Sequence, residues 1–186
     1  LRITGRRKIV AIEGSFHGRT AAAGAVTWGA AKKWYGFPQA PFDVEFVPRG
    51  DLAAVDRIIG TDTAAVIVEP VQGVGGALDL GEPFLAALRR RCSETCALLV
   101  FDEVQCGMGR SGYPFAANMY GVSPDMITTA KALGAGFPCA ALLLAVAFGW
   151  LALIDRLLAW AEAQRGRRRW IGWAWAPAAA VLAIAL

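Results

Sequence analysis

The chain has a single histidine, His17, and four cysteines, none of them in a Cys-x-x-Cys pair. A tetrahedral zinc site needs three or four such ligands at close spacing, so no metal centre is expected. Cys92 and Cys96 stand four apart in a segment that reads as helix. That spacing makes them neighbours on one face rather than a disulfide, and nothing in the cysteine pattern points to an oxidising compartment. A cytoplasmic setting is the expectation. The chain has no charged-then-apolar leader and opens on Leu1 rather than a methionine, which reads as the mark of a fragment. No apolar run reaches the ~20 uninterrupted residues that cross a bilayer. A basic face with interleaved aromatic readers is also missing. Residues 1–144 carry 14 Lys/Arg against 13 Asp/Glu, and a nucleic-acid partner is therefore not expected. The net charge of +4 comes mostly from residues 145–186, with five basic against two acidic side chains.

What is present is an alternation of short apolar runs and amphipathic segments. Lys8 to Ile12 reads as a strand ending at Glu13-Gly14-Ser15, and the Ala-rich stretch Arg19 to Trp28 reads as a helix. Val44 to Val47 reads as a short strand, after which Asp51 caps an amphipathic helix over Leu52 to Ile59. Ala64 to Val68 is wholly apolar and too short for most helices, which predicts a buried parallel strand. Pro83 occupies a first-turn position of a helix over Phe84 to Glu94. Ala97 to Phe101, Met126 to Thr129 and Cys139 to Leu144 complete the series of strands. Strand, crossover helix, strand, repeated in this way, predicts an α/β sheet with its functional loops at the carboxyl ends of the strands. At 186 residues, one ordinary core is expected.

Two residues carry chemistry on this frame. Asp102 ends the run Ala97 to Phe101, and Lys131 follows the run ending Thr128-Thr129 and opens the turn Lys131-Ala132-Leu133-Gly134-Ala135-Gly136. An amine and a carboxylate, each at the end of a buried strand, are what a pyridoxal phosphate (PLP) enzyme requires. The lysine forms a Schiff base with the aldehyde, and the carboxylate keeps the pyridine nitrogen protonated so that the ring accepts electrons.

Four motifs surround the pair: Ser15-Phe16-His17-Gly18-Arg19-Thr20, Val68-Glu69-Pro70-Val71-Gln72-Gly73, Phe101-Asp102-Glu103-Val104-Gln105 with its continuation to Arg110, and Thr129-Ala130-Lys131-Ala132-Leu133-Gly134. In this order and spacing the chain resembles the class III PLP-dependent aminotransferases, most closely their acetylornithine/ornithine branch, from about Gly5 to about Leu144. The resemblance implies part of the large domain of fold-type I PLP enzymes, a mixed and mostly parallel sheet flanked by helices, in a homodimer. It implies Lys131 as the Schiff-base lysine that also moves the proton between substrate and cofactor, and Asp102 as partner of the ring nitrogen. It places Val104 on one face of the cofactor ring, Phe16 on the other, and Gln105 against the phenolic oxygen. Arg19 becomes a clamp for a substrate carboxylate, since its planar fork matches two carboxylate oxygens, and Glu69 a carboxylate of the site wall. His17 receives only a hydrogen-bonded structural part. The substrates implied are acetylornithine or a related ω-amino acid, with 2-oxoglutarate as acceptor.

The chain departs from the branch in three places. Where the branch commonly has a glutamate after Gln-Gly that helps switch between substrates, this chain has Val74, which cannot gate an arginine by charge. The Gly/Ser/Thr-rich loop that holds the cofactor phosphate would lie before residue 1, and the threonine lent by the neighbouring subunit would lie after Leu144. Beyond Leu144 the pattern breaks into the apolar stretch Ala145 to Trp160, the basic cluster Arg165 to Arg169, and the apolar stretch Trp170 to Leu186. Tryptophans beside a basic cluster suit a membrane interface, so any membrane contact is expected only through residues 145–186. The abrupt change favours a shifted reading frame or fused tail over a true anchor. Domains are thus expected at 1–144 and 145–186. Alternatives to the transaminase are a truncated non-catalytic relative with an interfacial tail, or another class III activity such as an aminomutase or amine-pyruvate transaminase.

Overall fold

A computed structural model describes residues 1–134 except 3, 34 and 38, together with residues 146, 149–158 and 160. The chain divides into two units, Leu1–Cys139 and Ala140–Leu186.

In the first unit five parallel strands form one sheet: β1 (Lys8–Ile12), β2 (Asp43–Val47), β3 (Thr63–Val68), β6 (Leu98–Asp102) and β7 (Met126–Thr128), in the spatial order β2-β1-β3-β6-β7. A two-stranded antiparallel hairpin, β4 (Val71–Gln72) and β5 (Leu78–Asp79), follows β3. The helices are α1 (Ala21–Ala25), α2 (Ala30–Lys33), α3 (Leu52–Ile58), α4 (Glu82–Thr95) and α5 (Ala116–Tyr120). The fold class is the expected one, and five of the strands and two of the helices lie within two residues of their expected bounds.

The core lies between the sheet and the pair α3 and α4. Val10, Ile12, Val66, Val68, Leu99 and Phe101 from the strands meet Val55, Leu85 and Leu88 from the helices, all fully buried. Alternation along β3 sends Val66 and Val68 to this side, while Ala65 and Ile67 on the opposite side are half-buried. α3 begins as its sequence dictates, the Asp51 carboxylate accepting from Ala54 N at 2.9 Å. α4 has Pro83 in its first turn and ends at Cys96, whose φ of 54° is left-handed. Cys96 is therefore the exposed cap and not a face-mate of buried Cys92, and both are free thiols.

The helix expected over Arg19 to Trp28 shrinks to the five residues of α1. Thr27 explains the loss. Its hydroxyl donates to Ala23 O at 2.9 Å and accepts from His17 N at 2.9 Å, so it serves the preceding loop and closes the helix. The hairpin, α2 and α5 were not expected from the sequence. The strand expected at Cys139 to Leu144 lies outside the described residues, as do the basic cluster and the last apolar stretch. Residues 149–158 are helical, and no helix among the described residues is long and apolar enough to cross a membrane.

Arg6 fastens the start of the sheet to the end of α4. Its Nη1 lies 2.8 Å from Thr63 O, 3.0 Å from Thr95 O and 2.9 Å from Cys96 O. Carbonyls at a helix carboxyl end carry partial negative charge and lack helical donors, so a guanidinium suits them. Arg6→Ala is expected to cost about 1–3 kcal/mol of stability in urea denaturation; an unchanged midpoint would mean that water serves these carbonyls equally well.

Candidate active site

In a parallel sheet every strand delivers its next residues to the same edge. Here that edge receives Glu13 to Arg19 from β1, Glu69 to Gly73 from β3, Asp102 to Gln105 from β6, and the residues leading to Lys131 from β7. Asp102 is directly opposite Thr128 in the β6–β7 register.

Asp102 is buried, and its carboxylate is held by three donors. Oδ2 lies 2.7 Å from His17 Nδ1, while Oδ1 accepts from Val104 N and from the Thr128 hydroxyl, each at 3.2 Å. Burial pushes this carboxyl up, but the hydrogen bond and charge of His17, with Val104 N and Thr128, outweigh it and hold it below its ordinary value of 3.8. The stability Asp102 contributes is then complete above that value and is lost as pH falls through the lower folded one. The difference in urea midpoint between wild type and Asp102→Asn is therefore expected to stay level from about pH 5 to 7 and to shrink below about pH 4. A difference that grew on acidification would reverse this assignment.

Glu69 shifts the other way. Only 1% exposed, it accepts from Phe16 N at 2.7 Å and Gly73 N at 3.2 Å. Burial dominates and raises it, with the negative charge of Asp102 adding to the effect. Two neighbouring carboxyls pushed apart in this way can divide labour, one ionised and one closer to protonation.

Gln105 packs on Gly73, where a Cβ would come within 2.5 Å of Gln105 Nε2, so a larger residue here would displace the Gln105 amide. Phe16, Glu69, Gly73 and Gln105 are thereby tied together, and His17 ties Phe16 to Asp102 and Val104. Lys131 and Arg19 stand outside this net. Lys131, with a left-handed φ of 45°, opens the turn Lys131–Gly134 three residues beyond Thr128 and is exposed. Arg19 is exposed and has no hydrogen bond or ion pair among the described residues. Val74 is 64% exposed in the loop of the hairpin. His17 is the residue that the sequence undervalued: its side chain is 1% exposed and it holds Asp102 across 85 positions. Its Nε2 has no partner among the described residues. Only its place beside Phe16 in the first motif could have marked it.

The donor set fits a cationic ring nitrogen. An ionised carboxylate offers about four acceptor positions, of which His17, Val104 and Thr128 take three.

A parallel sheet that gathers a buried, ionised aspartate and a lysine-bearing turn at one edge is matched by the family model for class-III aminotransferases over residues 2–147. The chain belongs to the class III aminotransferase family, whose members are PLP-dependent. It is 49% identical over 138 residues to acetylornithine aminotransferase 1 of Bradyrhizobium diazoefficiens, covering 74% of this chain and 34% of the relative. It is also 49% identical over 138 residues, with the same coverage of both chains, to the acetylornithine/succinyldiaminopimelate aminotransferase of Yersinia pestis. Among solved structures, the ornithine aminotransferase from Toxoplasma gondii, which carries PLP at partial occupancy in its active site, superposes with a TM-score of 0.63. It is 28% identical and covers 72% of this chain and 32% of its own. The chain thus spans about a third of the length of the relatives it matches.

Proposed function

We propose that residues 1–144 form part of the PLP-binding large domain of an aminotransferase. It would take an amino group from acetylornithine, or a related ω-amino acid, and pass it to 2-oxoglutarate. The observation that carries this reading is Asp102: buried, ionised, held by three donors, and in register with the strand that leads to Lys131.

When bound, PLP supplies an aldehyde carbon and a protonated ring that accepts the electron pair left as the substrate Cα–H bond breaks. Asp102 would hold the ring N–H and keep the nitrogen charged. His17 fixes the direction in which the Asp102 carboxylate points. Lys131 would hold the group through its Nζ amine, and that amine would carry the proton taken from substrate Cα. Phe16 and Val104 would enclose the ring, Gln105 would donate to its phenolic oxygen, and Arg19 would clamp a substrate carboxylate. Glu69 holds the Phe16 and Gly73 main chains that frame these groups. Family kinship with the acetylornithine enzymes supports the donor class. Val74, exposed and uncharged in the hairpin loop, favours as second reading another class III activity, such as an aminomutase or an amine-pyruvate transaminase. A homodimer in the cytoplasm, with residues 145–186 as a frameshifted or fused tail, completes the reading.

The test is titration of the purified chain with PLP, followed by borohydride reduction, digestion and mass mapping. The chain contains only four lysines, Lys8, Lys32, Lys33 and Lys131. A single adduct on Lys131 supports the proposal; adducts spread over the other three, or none, overturn it.

A further inference from the structure

Next to Asp102 stands a second carboxylate that the mechanism above does not use. Glu103 is 1% exposed, and every polar group it has is engaged. Its Oε2 accepts from Ala116 N at 2.6 Å and its Oε1 from Ala117 N at 2.9 Å. Its own N donates to Thr128 O at 3.0 Å, and its O accepts from Gly107 N at 2.9 Å. A carboxylate this deep is costly to bury unless its oxygens are paired. The first two amides of α5, which have no helical acceptor, supply that pairing. The loop between these two anchor points, residues 104–115, contains Val104 and Gln105. Packing at its start is tight: a Cβ on Gly107 would lie 2.8 Å from Glu103 O and 3.0 Å from Glu103 Cβ.

The geometry points to a division of labour between adjacent acids, and it rests on the functional reading above. We propose that Glu103 is a positioning residue that sets the affinity of the site for PLP by pinning both ends of the loop 104–115. Asp102, the last residue of β6, turns its carboxylate to His17, whereas Glu103, just past the strand, turns its own to α5, so Asp102 faces the site and Glu103 the support beside it. Through its N–H to Thr128 O, Glu103 also fixes the partner that donates to Asp102. Through its carboxylate it holds α5, and so keeps Val104 N on Asp102 and Gln105 against Gly73. Without it, the β6 end anchors the loop on one side only.

The experiment compares wild type, Glu103→Ala, Glu103→Gln and Val55→Ala, a core truncation on α3 that lowers stability from outside the site. For each full chain, the PLP concentration giving half-maximal borohydride-trapped adduct on Lys131 is measured, together with hydrogen exchange at Ala116 and Ala117. Glu103→Ala is expected to raise that concentration about tenfold, as loss of buried, charge-assisted hydrogen bonds does, with fast exchange at both amides. Glu103→Gln keeps an oxygen acceptor for one amide only and falls between; should the alanine variant not fold, this variant decides. Val55→Ala leaves the half-maximal concentration unchanged. Equal values in wild type and the Glu103 variants, or an equal rise in Val55→Ala, would overturn the proposal. A wild-type chain without adduct on Lys131 would sink the functional reading and this inference with it; labelled wild type with indifferent Glu103 variants would sink the inference alone.

Discussion

Lys131→Ala is expected to reduce the trapped PLP adduct from one per chain to background. Borohydride fixes the cofactor only where an amine has condensed with its aldehyde, and the three remaining lysines lie far from the Asp102 edge in sequence and element. Lys8 lies at the start of β1, where its Nζ is 2.9 Å from Ile58 O and 3.0 Å from Asp62. Lys32 and Lys33 are exposed at the end of α2. The Asp102 carboxylate stays intact in the variant, so reversible PLP binding remains measurable by equilibrium dialysis while covalent trapping disappears. Trapping that persists at wild-type stoichiometry would show that Lys131 is a solvated turn residue and that another amine holds the aldehyde.

The second large effect concerns the sheet. Phe101 is fully buried on β6, paired with Val68 on one side and Ile127 on the other. Phe101→Ala is expected to cost about 3–5 kcal/mol, the transfer energy of the ring plus the cavity it leaves. Against a usual total of about 5–15 kcal/mol, much of the folded population is at risk, and the neighbouring Asp102 loses its anchorage. Urea denaturation with intrinsic fluorescence measures the loss. A change below about 1 kcal/mol would mean that the helices close over the gap.

Features written in neighbouring residues were legible from the sequence, and features made by distant ones were not. The cap of α3 needs only Asp51 and the amide three residues on, and β3 is a single apolar run. Pro83 marks α4 by its own ring. By contrast, Thr27 ends α1 because a loop ten residues earlier wants its hydroxyl, which no helical periodicity reveals. Strands of two residues, as in the hairpin, are too short to show alternation. At the site, Phe16, Glu69, Asp102, Val104 and Gln105, all named from the motifs, meet at the carboxyl edge, whereas Arg19 and Lys131 stand outside their net. The bonds between them do not follow from the motifs: His17 meets Asp102 across 85 positions, and Phe16 meets Glu69 across 53. Nor does any pattern of apolar residues disclose that Glu103 turns away from the site towards α5.

That five strands all run the same way has a kinetic consequence. Parallel neighbours cannot be joined by a tight turn, and each pair here is formed by residues more than twenty positions apart. Such pairings are closed late and against chain entropy, which makes this topology intrinsically slow to form. Asp102 acquires its Thr128 donor only when the edge strand docks. The aspartate is therefore without its full set of donors in any species that has collapsed but not finished its sheet, and the complete Asp102 bond network marks the end of folding.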